Sequence, residues 1–475
     1  MKDKTVIDVW VADLTFPGYM DRLRKLGEEF GERHPEYQID IRGCDFRNLP
    51  LEIAQSAAAG SPPAITECYF YITQAARDLR NVAGEPLFTS VEKAIAGRTE
   101  ILGEPVVIDD IIPAVRDYYT YGGDLTSMPS VATTSLLFGN RTLLDAAGVA
   151  GLPQTWQEVD TACDTIAALP GGPSHAITWS IHGTFFQQAI AAQGGVLVDQ
   201  DNGRSGAATK VELASKEMLA WATWWRTLHQ AGHYLHTDEI PGWANNFQAF
   251  ADQRVALRIT SSNDINYMVQ AAETAGFELE VGRFPDNEHA PYEGNAIAGT
   301  SLWLTDGLDQ EVQDGALAFL QFMHNARNAA DRHKDNSFVP ITHASFALLE
   351  SEGWFDEHPY HRAASDQLKS YPTSGVAGDR AETGGAPASR GALFGDFAGN
   401  QDVMTNAMGD VLRYGADPAV RFAEATVEAQ QLLDAYHADR AENGPSLPSS
   451  LRVEHFRDAK PYSGMDLENV VHLKR

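Results

Sequence analysis

At 475 residues the chain is long enough to bury a large core divided between two lobes. Its 65 acidic against 36 basic residues give a formal net charge of −29, which makes nucleic acid and anionic membrane surfaces poor partners. No segment has the apolar length of a membrane span, and acidity of this kind serves solubility without pointing to a cationic substrate. Met1-Lys2-Asp3-Lys4 runs directly into the alternating stretch Thr5 to Val11, a first strand with no charged, apolar and small-residue export signal before it. Either such a signal has been removed, or the protein stays in the cytosol. Tyr19 to Phe30, apolar at Met20, Leu23, Leu26 and Phe30, predicts an amphipathic helix that His34-Pro35 ends. Tyr37 to Ile41 reads as a second strand, Leu51 to Ala59 as a helix closed by Gly60, and Ala64 to Tyr69 as a third strand. Alternating strands and helices predict an α/β fold with a parallel sheet and crossover helices.

Tyr118 to Asp124 carries Gly122-Gly123 and predicts a hairpin. The stretch from Met128 to Trp156 follows. Pro129 and small β-branched residues lead into Leu136-Leu137-Phe138, a strand crossing the middle of a domain. Asn140 can cap a helix over 142–147, and Gly148 can end it in a left-handed conformation. Thr155 can cap a further helix with apolar residues at Val159, Cys163, Ile166 and Leu169. Met218 to His229 is an apolar helix whose Trp221, Trp224 and Trp225 suit a core better than a ligand platform. A helix is expected over 312–324. The segment Thr373 to Arg390, rich in Gly, Ala, Ser and Thr, reads as a loop that either covers a site or faces solvent. Among the three cysteines, Cys163 belongs to a helical core stripe, while Cys44 and Cys68 could pair, and an odd count without a framework leaves their redox state open.

Several of these stretches resemble the extracellular solute-binding proteins of ABC importers, in their sugar-binding branch. They are Leu137-Phe138-Gly139-Asn140, Ala147-Gly148 and Pro153-Gln154-Thr155-Trp156. Ala298 to Trp303, Phe338 to Phe346 and Gly353 to Pro359 bring the resemblance toward the branch that binds glycerol 3-phosphate and glycerophosphodiesters. The resemblance implies a two-lobe periplasmic-binding-protein-like α/β fold with a ligand cleft and a hinge between the lobes. One lobe would comprise 1–131 and 284–343, the other 132–283 and 344–475. Hinge strands are expected near Pro129 to Ser135, near Phe284-Pro285 and near Ala344 to Leu349. Helix N-termini and strand-end loops would face the cleft and supply hydrogen-bond donors without a catalytic group.

Carried over residue by residue, the resemblance places Phe46, Phe70, Phe338 and Leu393 where the phosphate-binding relatives offer a Tyr, an acid, a Tyr and an Arg. Thr133, Ser262 and Gly299 still fit. A buried phosphate without its Arg would be poorly compensated. The cleft is therefore expected to take a larger, less polar ligand, with Phe46, Phe70 and Phe338 forming one wall. Trp179, Phe185 and Phe186 are candidates for stacking on a sugar ring, against the alternative that some are core. His182 and Asp264 are the titratable candidates, suited to proton transfer or to holding ligand hydroxyls.

No cofactor is expected, because the chain holds no Walker loop, dinucleotide fingerprint or nucleophile elbow at a strand–helix turn. His233, His236 and Asp238 fit no standard metal spacing. Two functions remain open at this level. One is a monomeric binding protein that delivers a sugar-like or glycerophosphodiester-like solute to ABC transporter membrane subunits. The other is a cytosolic homologue using the same cleft as a biosynthetic enzyme or carrier.

Overall fold

A computed structural model describes residues 4–14, 18–369, 389–443, 448–451 and 453. Most of the loop expected over 373–390 lies outside the described residues. Two sheets organise the chain. In the first, strand Thr5–Asp13 runs parallel to Tyr37–Asp45 on one side and to Ile65–Tyr69 on the other. Strand Ala298–Thr305 then returns antiparallel to Ile65–Tyr69, and also pairs with Phe88–Thr89 and Met128–Thr133. In the second sheet the order is Ile177–Thr178, Leu257–Ser261, Ser135–Asn140, Leu279–Arg283. The parallel pairing expected of the first three strands is thus present in the first sheet, whereas the second sheet is mixed. Ser135–Asn140 is antiparallel to both its neighbours, and only the short strand Ile177–Thr178 pairs in parallel.

The local signals account for the boundaries. The Asn140 side chain accepts from Leu143 N at 3.0 Å, and Gly148 closes helix Arg141–Ala147 at φ 82°. Thr155 accepts from Glu158 N at 3.2 Å and starts helix Trp156–Ala167. Thr120–Tyr121 pairs antiparallel with Asp124–Leu125 across Gly122 and Gly123, both at positive φ. Helix Lys216–Gln230 buries Trp221, Trp224 and Trp225 as expected of core residues. Cys44, Cys68 and Cys163 are all buried free thiols. No helix among the described residues is long and apolar enough to cross a membrane.

The chain passes from one sheet to the other between Met128–Thr133 and Ser135–Asn140, the first crossing expected from the sequence. It returns between Leu279–Arg283 and Ala298–Thr305. Two boundaries differ from expectation. The first-sheet strand continues through Thr133, so 132–133 stay with the first lobe. Helix His343–Ser351 packs on helix Ala326–Asn336, with Ala330, Leu349 and Phe355 forming a small apolar cluster. That cluster keeps 344–357 with the first lobe, and the third passage follows it, near Pro359–Arg362. Helix Ala363–Lys369 then lies against the second sheet, where Gln367 Oε1 accepts from Phe284 N at 2.8 Å.

Candidate functional site

The ends of the central strands of both sheets meet at the first crossing. Ser262 N donates to Thr134 O at 2.8 Å, and Thr134 N donates to Ser262 Oγ at 3.2 Å, so the crossing is pinned to the end of strand Leu257–Ser261. Gly299 sits opposite, at φ 136°; a side chain there would overlap the Val131 carbonyl oxygen. Glycine is thus required for the two strands to approach. Between these strands and helix Gly183–Ala192 lies a narrow crevice of about 20 Å³ in this arrangement of the lobes. Thr133, Thr134, Ser135, Thr184, Gln187, Gln188 and Ser261 line it with hydroxyl and amide groups, and Ala296, Ile297 and Ala298 complete it. Among the described residues, no charged side chain lines it.

An aromatic wall rises from the first lobe. Phe46 is half-buried, with its ring 6.2 Å from Tyr69; Tyr69 stacks on Tyr71 at 5.4 Å, and Phe70 meets Tyr71 edge-on at 5.2 Å. Tyr19 meets Phe338 edge-on at 6.0 Å. Of the expected trio, Phe46 and Phe70 therefore join one continuous set of rings through Tyr69 and Tyr71, while Phe338 stands with Tyr19. Burial raises the phenols of Tyr19, Tyr69 and Tyr71 far above the ordinary range, so all three stay neutral. Sequence reasoning passed over these tyrosines. The alternation Tyr69-Phe70-Tyr71 just past a strand end was the signal that could have found them.

Phe70 also meets Tyr118 and Phe397 edge-on, at 6.0 and 6.1 Å. Phe397 opens helix Phe397–Tyr414 of the second lobe, so Phe70 packs where the lobes touch. The Tyr118 hydroxyl reinforces that junction by donating to Phe70 O at 3.0 Å and Ala392 O at 3.2 Å. Leu393 is buried beside it, with its N–H donated to Asn202 O at 3.0 Å. Arg204 clasps the same place from the second lobe, donating to Tyr118 O, Gly391 O and Arg390 O.

On the second lobe His182 caps helix Gly183–Ala192; its Nδ1 accepts from Thr184 N at 3.2 Å, which leaves the proton of the neutral ring on Nε2. Trp243 lies 5.4 Å from His182 and 5.5 Å from Phe185, a neighbour the sequence reading did not single out. Trp179 is a correction. It is fully buried among Trp221, Trp224, Trp225 and Tyr234, so it belongs to the second-lobe core and offers no face to a ligand. Phe186, packed on Trp225 and Phe422, is core as well. Asp264 is buried and paired with Arg258 at 3.3 Å, and it accepts from Thr260 Oγ1 at 2.7 Å. That pairing ties Asp264 to the framework of the second lobe and does not fit an acid–base role.

Behind the first-lobe wall, Glu67 accepts from Ala12 N at 2.9 Å and from Thr300 Oγ1 at 2.5 Å, and burial raises its carboxyl. Arg332, also buried, donates to Ser130 Oγ at 3.3 Å. These charges back the site without lining the crevice.

A family model for bacterial extracellular solute-binding proteins matches residues 25–361. The sn-glycerol-3-phosphate-binding periplasmic proteins of Salmonella typhimurium and Escherichia coli are each 26% identical over 360 residues, covering 73% of this chain and 77% of theirs. Among solved structures, the GacH receptor of Streptomyces glaucescens, described with acarbose, superposes at a TM-score of 0.66 with 18% identity over 91% of this chain and all of that one. The cyclic alpha-maltosyl-1,6-maltose binding protein of Arthrobacter globiformis gives 0.69 at 15% identity, again covering 91% and 100%. UgpB of Mycobacterium tuberculosis, in complex with glycerophosphocholine, gives 0.64 at 19% identity, covering 91% and 99%.

Proposed function

The chain belongs to the bacterial extracellular solute-binding proteins, and we propose that within this family it is the receptor for a hydroxyl-rich solute without net charge, a sugar or a zwitterionic glycerophosphodiester. One observation carries this reading: the crevice at the lobe junction is lined by hydroxyl and amide groups and, among the described residues, by no charged side chain. Hydroxyls and carboxamides match ligand hydroxyls in donors and acceptors alike. A phosphate monoester needs a cation to replace its water, and Leu393 stands where the phosphate-binding relatives are expected to carry theirs. On the first lobe, the half-buried rings of Phe46 and Tyr69, backed by Tyr71 and Phe70, add apolar area. They suit the C–H faces of a pyranose or the alkyl part of a diester. The similarity to sugar and glycerophosphodiester receptors supports both ligand kinds.

Binding in this reading does no chemistry. The solute bridges the two lobes, stabilises the closed arrangement, and is handed to the membrane subunits of an ABC importer. The protein works as a monomer outside the cytoplasmic membrane. A thermal-shift screen with maltose, trehalose, glycerophosphocholine and glycerol 3-phosphate tests the reading, because a ligand bound only by the native state raises the melting temperature. A neutral sugar or glycerophosphocholine is expected to raise it. Glycerol 3-phosphate as the sole stabiliser would refute the neutral-ligand reading.

A further inference from the structure

Helix Gly183–Ala192 crosses helix Phe397–Tyr414 with Gly183 directly against Gln401. A Cβ on Gly183 would stand 2.6 Å from Gln401 Oε1 and 2.9 Å from the Gln401 Cα, so only glycine lets the two backbones come this near. The crossing brings the Gln401 carboxamide alongside the helix face that carries Gln187, one turn further on. Gln187 lines the crevice, as does Thr184 next to Gly183. Both glutamines are buried.

Their polar atoms are poorly served. Among the described residues, Gln401 Oε1, Gln401 Nε2 and Gln187 Oε1 find no hydrogen-bond partner. The neighbouring amides differ. Gln188 has both ends engaged, with Thr134 Oγ1 and with Asn295. Gln367 donates to Thr134 Oγ1 and Ser135 O and accepts from Phe284 N. Burying a carboxamide without partners is unfavourable, and an apolar side chain of similar shape would fill a helix crossing without that cost. One such atom belongs to Gln187, which lines the crevice, and two belong to Gln401 on the helix that crosses beside it; unpartnered amides brought to one crossing are what a site built for a missing polar partner leaves behind.

We propose that Gln187 and Gln401 form an amide subsite that reads neighbouring hydroxyls on the ligand and determines specificity for a polyhydroxylated ring over an anion. The inference rests on the receptor reading above and names the groups that would discriminate. A hydroxyl can donate to a glutamine oxygen and accept from Gln401 Nε2 at once. A carboxylate or phosphate oxygen can only accept, so it would leave Gln187 Oε1 and Gln401 Oε1 without a donor.

The test joins stability to affinity in the variants Gln401→Leu and Gln187→Leu. Each is melted without ligand, then titrated calorimetrically with maltose, trehalose and glycerophosphocholine. The subsite predicts that Gln401→Leu melts at or above the temperature of the unchanged protein while binding its preferred probe at least tenfold more weakly. Gln187→Leu, which faces the crevice, should lose affinity in the same way and covers the case in which Gln401→Leu does not fold. A lower melting temperature for both variants makes the glutamines structural and overturns the proposal. So does a probe bound by the variants as tightly as by the unchanged protein, and in that case the receptor reading survives. If none of the three probes binds the unchanged protein, both the receptor reading and the subsite fall.

Discussion

Replacing Asp264 with Asn should unfold the second lobe at a markedly lower temperature, because the change strands a buried guanidinium. The Asp264 carboxylate lies 3.3 Å from Arg258, the two side chains 3% and 1% exposed. Asn keeps the shape and removes the negative charge facing a cation that water does not reach. Breaking such a pair from one side costs about 3–5 kcal/mol. For a folding unit the size of one lobe, about 2–4 °C per kcal/mol converts this to a fall of roughly 6–20 °C in melting temperature. Differential scanning calorimetry of the unliganded variant reads it directly. The double change Asp264→Leu with Arg258→Met removes both charges and should recover much of the loss. A variant Asp264→Asn that melts within about 2 °C of the unchanged protein, yet no longer binds its solute, would refute the structural assignment and return Asp264 to the ligand.

Two further outcomes follow from the junction of the lobes and from a buried histidine pair. Tyr436, on helix Pro418–Asn443, donates to Asp78 Oδ2 at 2.6 Å, and Arg440 reaches Asp78 Oδ1 at 3.2 Å, so the C-terminal helix is clasped to the first lobe. Tyr436→Phe removes a charge-assisted bond of about 1.5–3 kcal/mol from the closed arrangement, and should weaken solute binding about tenfold or more in an equilibrium titration; unchanged affinity would mean the lobes do not part there. His333 and His361 are buried, with ring centroids 5.7 Å apart, holding Phe338 O and Asn266 Oδ1 at 2.7 Å each. Burial pushes His333 down to about 4, with the Lys334 ammonium adding to it, and burial pushes His361 down to about 3. Both are neutral in the fold, so their stability contribution is full above the unfolded value near 6.5 and is lost as pH falls from there toward 4 and below. Urea unfolding between about pH 7 and about pH 4.5 should show that loss, and His333→Asn should lessen it; an identical pH dependence in the variant would count against the assignment.

The sequence by itself determined what depends on near neighbours. Asn140, Thr155 and Gly148 end their helices as read because capping joins residues three or four apart, and Gly122-Gly123 turns its hairpin because both positions need positive φ. The tryptophans of Lys216–Gln230 were legible as core from their helical spacing. The order of those signals along the chain also carried the resemblance, and with it the two-lobe fold and the crossing at Thr133 to Ser135.

Strand direction, burial of particular polar groups and the partners across the cleft were decided only by the tertiary structure. Ser135–Asn140 looks the same in sequence whether its neighbours run parallel or antiparallel, since a buried strand shows one apolar run in either case. Trp179 could have faced a sugar or a core; four aromatic side chains from distant segments decided for the core. Asp264 reads in sequence as a cleft acid, and only the turn that ends strand Leu257–Ser261, folding it back onto Arg258 beneath the packed lobe, makes it half of a buried pair. Nothing local marks Gln401 as different from a solvent-facing glutamine. It is buried because Gly183, far away in sequence, lets two helices touch at that point, and a helix carries no record in its own residues of which helix will cross it.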